Sequence, residues 1–220
     1  MGPKRLPSRQ LRSACCIVCK VATYYAVSNT QHEALMSNFE KRIYLTGFMG
    51  SGKSTVGPIL ANVLGFAFVD LDEAIAERAG KPIARIFADD GEASFRALES
   101  TLLRETATRE HMIYALGGGT LAVEANLYWA LEHGTVVYLR VSLDQLIHRL
   151  RRGRVARPLL LDASGRPLAM AALREKIQAM MDRRAPFYER AHIVIDIGNQ
   201  RVGITVDEVV KALRRHRRGL

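Results

Sequence analysis

Gly47, Gly52, Lys53 and Ser54 fall within GFMGSGKST, residues 47 to 55, and satisfy the spacing G-x-x-x-x-G-K-[ST]. Glycines at those places let a backbone turn its N–H groups inward, and a helix beginning at the lysine adds positive potential, so the loop suits a polyphosphate. Gly50, Ser51, Gly52, Lys53, Ser54 and Thr55 are therefore candidate contacts for a nucleoside triphosphate. Lys53 would reach the β and γ phosphates, and Ser54 would ligate Mg²⁺. A second candidate pair, Asp70 and Asp72, stands in FVDLDEAIAERAG. Residues two apart in an extended backbone project to one side, so one carboxylate could serve the metal and the other an acceptor hydroxyl. The competing use is an Asp that caps the following helix.

Such residues need a scaffold that brings distant segments together. Five β-rich runs supply it: RIYLTG, FAFVDLD, MIYALGGG, TVVYLRV and HIVIDIG. Between them lie segments such as STVGPILANVLG and SFRALESTLLRETATRE, with apolar residues at three- and four-residue spacing. This alternation predicts a parallel sheet with helices on both faces, where ligands bind at the carboxyl ends of the strands. Residues 73–100 read as additional helices, and 151–167, RRGRVARPLLLDASGRP, as a mobile lid. Pro58 falls in the first turns of the helix after the loop, where it removes one N–H and would bend the helix slightly.

The composition is that of an ordinary globular protein, with 48% apolar and 25% charged residues in a chain of 220, and the expectation is a single domain over 36–220. No run approaches the roughly 20 apolar residues of a spanning helix. The formal charge of +10 gathers in KALRRHRRGL and RLRRGRVARPLL. The first reads as the solvated end of a terminal helix, and the second as part of a site, so neither nucleic acid nor membrane is the expected partner. Residues 1–35 have no acidic residue before Glu33 and hold all three cysteines, Cys15, Cys16 and Cys19. A CxxC pair without a second ligand pair makes a poor metal site. The segment is expected to be a dispensable extension, with Met36 as the functional start; a transit peptide is the alternative, and would move the site of action from cytoplasm to an organelle.

Taken together, GFMGSGKST, FVDLDEAI with its downstream AG, IFADDGEASFRALE, ALGGGT, RPLL and RRAPFYERA resemble shikimate kinase from about residue 42 to 200. The resemblance implies the nucleoside monophosphate kinase fold, a three-layer α/β/α P-loop architecture. Its parallel sheet would have five strands in the order 2-3-1-4-5, with a helical substrate insert and a closing lid. It implies transfer of the ATP γ-phosphoryl group to a ring hydroxyl of shikimate by a monomer using one Mg²⁺. Asp72 would then bind the acceptor hydroxyls and assist deprotonation, and Asp70 would support Mg²⁺ through water. Arg96 and Arg184 would clamp the substrate carboxylate, Glu99 would orient such groups, and Gly118 would offer its N–H. Arg157 would be the lid arginine approaching the transferring phosphate. Gln200 would contact adenine, with Arg201 as the alternative, and Arg149 lies near an arginine used for the base. The physical chemistry agrees, since a planar guanidinium grips a carboxylate at two points.

Three rivals remain. A gluconate-type kinase shares the loop and the fold. A GTP-dependent switch would need N-K-x-D, which is absent from the chain. A basic nucleic-acid module would show a steep salt dependence.

Overall fold

The computed structural model describes residues 41–152, 166 and 168–219. In chain order these form β1 (Arg42–Thr46), α1 (Lys53–Leu64), β2 (Ala67–Asp70), α2 (Leu71–Ala79), α3 (Ile83–Asp89), α4 (Gly91–Glu105) and β3 (Met112–Ala115). There follow α5 (Glu124–His133), β4 (Thr135–Val141), α6 (Leu143–Arg152), α7 (Met170–Tyr188), β5 (Ile193–Ile197) and α8 (Val202–Arg217). The extension at 1–35, with its cysteines, lies outside the described residues, as does Met36. So does nearly all of the expected lid, including Arg157.

Strand side chains alternate between two buried clusters. Ile43, Leu45, Ile113, Val137 and Leu139 join the first, while Tyr44, Met112, Tyr114 and Val136 join the second. A period of two with both sets buried requires cover on both faces. The first cluster takes that cover from α1, α6, α7 and α8, and the second from α2, α3, α4 and α5. The strands pair in parallel in the order β2-β3-β1-β4-β5, as the resemblance implied. Register puts Asp70 opposite Ala115, Ala115 opposite Leu45, and Thr46 opposite Tyr138. The chain segments that leave these strand ends, at 47, 71 and 116, therefore emerge along one edge of the sheet.

The helical insert is wider than the sequence suggested, with three helices spanning 71–105 rather than 73–100. Helix α1 runs unbroken through Pro58. Helix α8 carries Arg214, Arg215, His216 and Arg217 in its exposed last turn, where cations complement the helix dipole. Among the described residues no helix is long and apolar enough to cross a membrane.

Candidate active site

The phosphate loop joins β1 to α1. The Ser51 N–H donates to the Phe48 carbonyl at 3.0 Å, and the N–H groups of Thr55 and Val56 donate to Gly52 at 3.0 and 2.8 Å. Gly52 caps the helix at φ 104°, a left-handed backbone that a side chain would strain. Lys53 Nζ folds back over this loop and donates to the carbonyls of Gly47 at 2.8 Å and Phe48 at 3.3 Å. Arg149 of α6 braces it from outside, donating to Gly50 and Ser51 carbonyls at 3.4 and 3.3 Å and to Gly198 at 2.9 Å. Ser51 departs from the rest of the loop. Its side chain is buried without a hydrogen-bond partner among the described residues, and it does not line the cleft that its neighbours face.

Asp70 and Asp72 do not share one extended backbone. Asp70 ends β2, whereas Asp72 already lies in the first turn of α2. The two uses weighed for an aspartate here turn out to coexist in Asp70. Its Oδ1 accepts the Asp72 N–H at 3.0 Å as the cap of α2, and its Oδ2 accepts the Ser54 hydroxyl at 2.7 Å. Capping thus holds Asp72 in place by its backbone. Burial pushes the Asp72 carboxyl up to about 6; the carboxylates of Asp70 and Glu99 push the same way, and Lys53 and Arg96 partly offset them.

A second cluster is organised around Glu99, which is 1% exposed. A buried carboxylate is tolerable only when paired and bonded. Here Arg96 Nη1 donates to Oε2 at 2.8 Å and Thr120 Oγ1 to Oε1 at 2.6 Å. Gly117, Gly118 and Gly119 pass beside these groups. A Cβ on Gly117 would stand 2.6 Å from Asp72 Oδ1, one on Gly118 3.1 Å from Arg184 Nη1, and one on Gly119 2.7 Å from Arg96 Nη1. Arg184, near the end of α7, also lies over the Phe48 ring at 5.5 Å. One turn later, the Tyr188 hydroxyl donates to the Gly118 carbonyl.

The structure thus brings Lys53, Ser54, Asp70, Asp72 and Gly118 to one cleft of about 400 Å³. Arg96 and Arg184 stand against the same glycine run. Gln200 sits apart, at the β5–α8 connection, and donates to Glu208 at 3.0 Å. Arg149 joins that connection to the phosphate loop, donating to the Gly198 and Gly50 carbonyls. Thr120 and Tyr188 carry no motif of their own. Their positions within ALGGGT and RRAPFYERA were the available signal.

The shikimate kinase family model matches residues 49–214. A shikimate kinase from Salinibacter ruber is 50% identical over 158 residues, covering 72% of this chain and 78% of that protein. A solved shikimate kinase from Acinetobacter baumannii, in complex with shikimate, superposes with a TM-score of 0.72 at 30% identity, covering 82% of this chain and 95% of that one. A gluconokinase from Sinorhizobium meliloti superposes with a TM-score of 0.53 at 20% identity, over 83% and 96% of the two chains, a likeness of fold alone.

Proposed function

Because this chain belongs to the shikimate kinase family, we propose that it transfers the γ-phosphoryl group of ATP to the 3-hydroxyl of shikimate, giving shikimate 3-phosphate and ADP. The observation that carries the reading is Asp72. Its carboxyl has an elevated pKa and lies within the fields of Lys53 on the donor side and Arg96 on the acceptor side, beside a glycine that leaves room for an acceptor. With ATP and Mg²⁺ supplied, shikimate should release ADP far faster than gluconate or a nucleoside monophosphate. Equal rates would sink the assignment.

Each residue then has a task. Lys53 exchanges loop carbonyls for phosphate oxygens and stays on them as charge shifts toward the bridging oxygen. Asp72 accepts a hydrogen bond from the attacking hydroxyl, aims it, and takes its proton on the carboxylate. Arg96 and Arg184 hold the acid group, and Glu99 keeps Arg96 from swinging away. Arg157 and Gln200 complete the ATP contacts in this reading.

The donor set also fits a divalent cation. Ser54 and Asp70 bring a hydroxyl and a carboxylate together at a helix N-terminus, both hard oxygen ligands of the kind Mg²⁺ takes alongside phosphates. Bound there, Mg²⁺ would neutralise charge on the β and γ phosphates. We read the protein as a cytoplasmic monomer; light scattering on the purified protein tests the latter.

Two expected results follow from the site. Arg184→Ala removes one charge-assisted clamp, so the KM for shikimate should rise about 10- to 100-fold with kcat changed much less. An unchanged KM would remove Arg184 from the clamp. Asp70→Asn keeps a capping oxygen but loses the charge, whereas Asp70→Ala loses both. The Asn variant should therefore demand more Mg²⁺ at near-normal stability, and the Ala variant should in addition lose about 1 kcal/mol in chemical denaturation. Equal stabilities would remove the cap from the explanation.

A further inference from the structure

A second cavity, of about 320 Å³, shares α2 with the catalytic cleft but none of its residues, and its other wall is α4, the helix that carries Arg96 and Glu99. Val69 and Leu71 flank Asp70 in sequence, Leu102 lies one helical turn beyond Glu99, and Met112 and Tyr114 sit on β3, which leads into the glycine run. Leu71, Leu102, Met112 and Tyr114 are all buried and give the cavity an apolar floor. Its size falls near the lower end of the range for small-molecule sites, about 300 to 1,000 Å³, enough for a single substituted ring.

The rim is charged and uneven. Arg78 is taken by Glu105 in a two-point pair at 2.7 and 3.2 Å. Arg109 also lines the cavity, is half-buried, and forms no ion pair among the described residues. Its place is set beforehand, because Arg42 Nη1 donates to the Ala107 and Arg109 carbonyls at 3.0 and 3.1 Å and so fixes the turn. Burial pushes the Tyr114 phenol up to about 12, which keeps it a neutral hydroxyl; its bond to the Thr106 carbonyl is long, at 3.4 Å. A cation outside any ion pair among the described residues, beside an apolar floor, suits a monoanion with an apolar body. A polyanion would be repelled by Glu77 and Glu105 on the same rim.

We propose that this cavity binds a small ring-bearing monocarboxylate, its carboxylate on Arg109 and its ring against Leu71, Leu102, Met112 and Tyr114, as an effector of the acceptor site. The coupling is physical. Helix α2 carries Asp72 and α4 carries Arg96 and Glu99, and both helices also wall this cavity, so an occupant that shifts them changes the geometry offered to the acceptor. The cavity itself does not depend on the proposed reaction; the effector role does rest on that reading.

Benzoate is a suitable probe, with benzamide as its neutral counterpart, and titration calorimetry on the whole chain reads binding. Benzoate should bind in the presence of saturating shikimate and equally in Arg184→Ala, while benzamide binds at least about tenfold more weakly. Arg109→Gln should weaken benzoate by about tenfold or more, and Leu102→Trp, which fills the cavity, should abolish its binding. In the assay, benzoate should change the KM for shikimate in the parent protein and not in Arg109→Gln. Displacement of benzoate by shikimate, its loss in Arg184→Ala, or full binding to Arg109→Gln would overturn the site. Binding without any change in KM would overturn the effector role. If shikimate proves not to be a substrate, the Arg184→Ala and Arg109→Gln titrations still decide whether the cavity is a site.

Discussion

Asp72→Asn should give a protein that turns over at least about 100-fold more slowly and is harder to unfold. Both halves come from the same geometry. Without a carboxylate, no group at this position can take the proton of the attacking hydroxyl, and the amide presents a donor where an acceptor is needed. The stability effect follows from the raised pKa. In the unfolded chain Asp72 ionises near 3.8, and in the folded protein near 6. Folding therefore favours the protonated form. Its stabilising share is fully present below about pH 4, is lost as pH rises toward about 6, and stays lost above that. Two pKa units amount to about 3 kcal/mol at neutral pH, which the neutral amide does not forfeit. Denaturation curves for both proteins at several pH values check this: the gap should be small at pH 4 and largest above pH 6. An Asn variant less stable than the parent at pH 7.5 would mean that Asp72 is held by attractions rather than strained by burial. The same group should appear as an ionisation near 6 in the acid limb of kcat/KM, absent from the Asn variant.

Lys53→Ala should have an effect of similar size on turnover, about 1,000-fold, by a different route. The lysine follows Gly52 at the start of α1, and its ammonium lies on the two carbonyls that open the phosphate loop. In the proposed reaction the ammonium leaves those carbonyls for the phosphate. Truncation removes that charge from the transferring group while leaving the loop's N–H groups in place, so ATP binding should fall less than kcat. Lys53→Arg should not restore the rate, because the broader guanidinium cannot occupy the position of a compact ammonium. Single-turnover kinetics at saturating ATP separate the two effects. A variant that keeps its rate but binds ATP poorly would reduce Lys53 to a binding residue.

How much of this could be read from the chain depends on how far each feature extends along it. The phosphate loop was legible because motif and geometry both lie within nine residues, and backbone turns of that kind depend on the glycines. The strand order came through a resemblance, while the alternation of faces came from period two in runs such as RIYLT. Asp70 and Asp72 were found for the right residue types with the wrong backbone. The strand stops at Asp70 because its own side chain starts the next helix, a choice between two local conformations that spacing alone does not decide. Thr120 and Tyr188 were not picked out, since the bonds that tie them to the site reach partners 21 and 70 residues away. Ser51 was placed among the nucleotide contacts by its position in the motif, a reading that concerns its backbone; that its side chain is buried was not legible from the motif.

The glycine run at 117–119 bears on how such a site can change over time. Each of its three missing methyl groups leaves room for a different working part: the carboxylate pair, one guanidinium, then the other. Specificity here is written partly in absent atoms. An added carbon at 117 or 119 would stand 2.6 or 2.7 Å from these groups, and one at 118 would press on Arg184 at 3.1 Å, so under the proposed function new acceptors are reached more readily by changing the helices opposite than by changing this run.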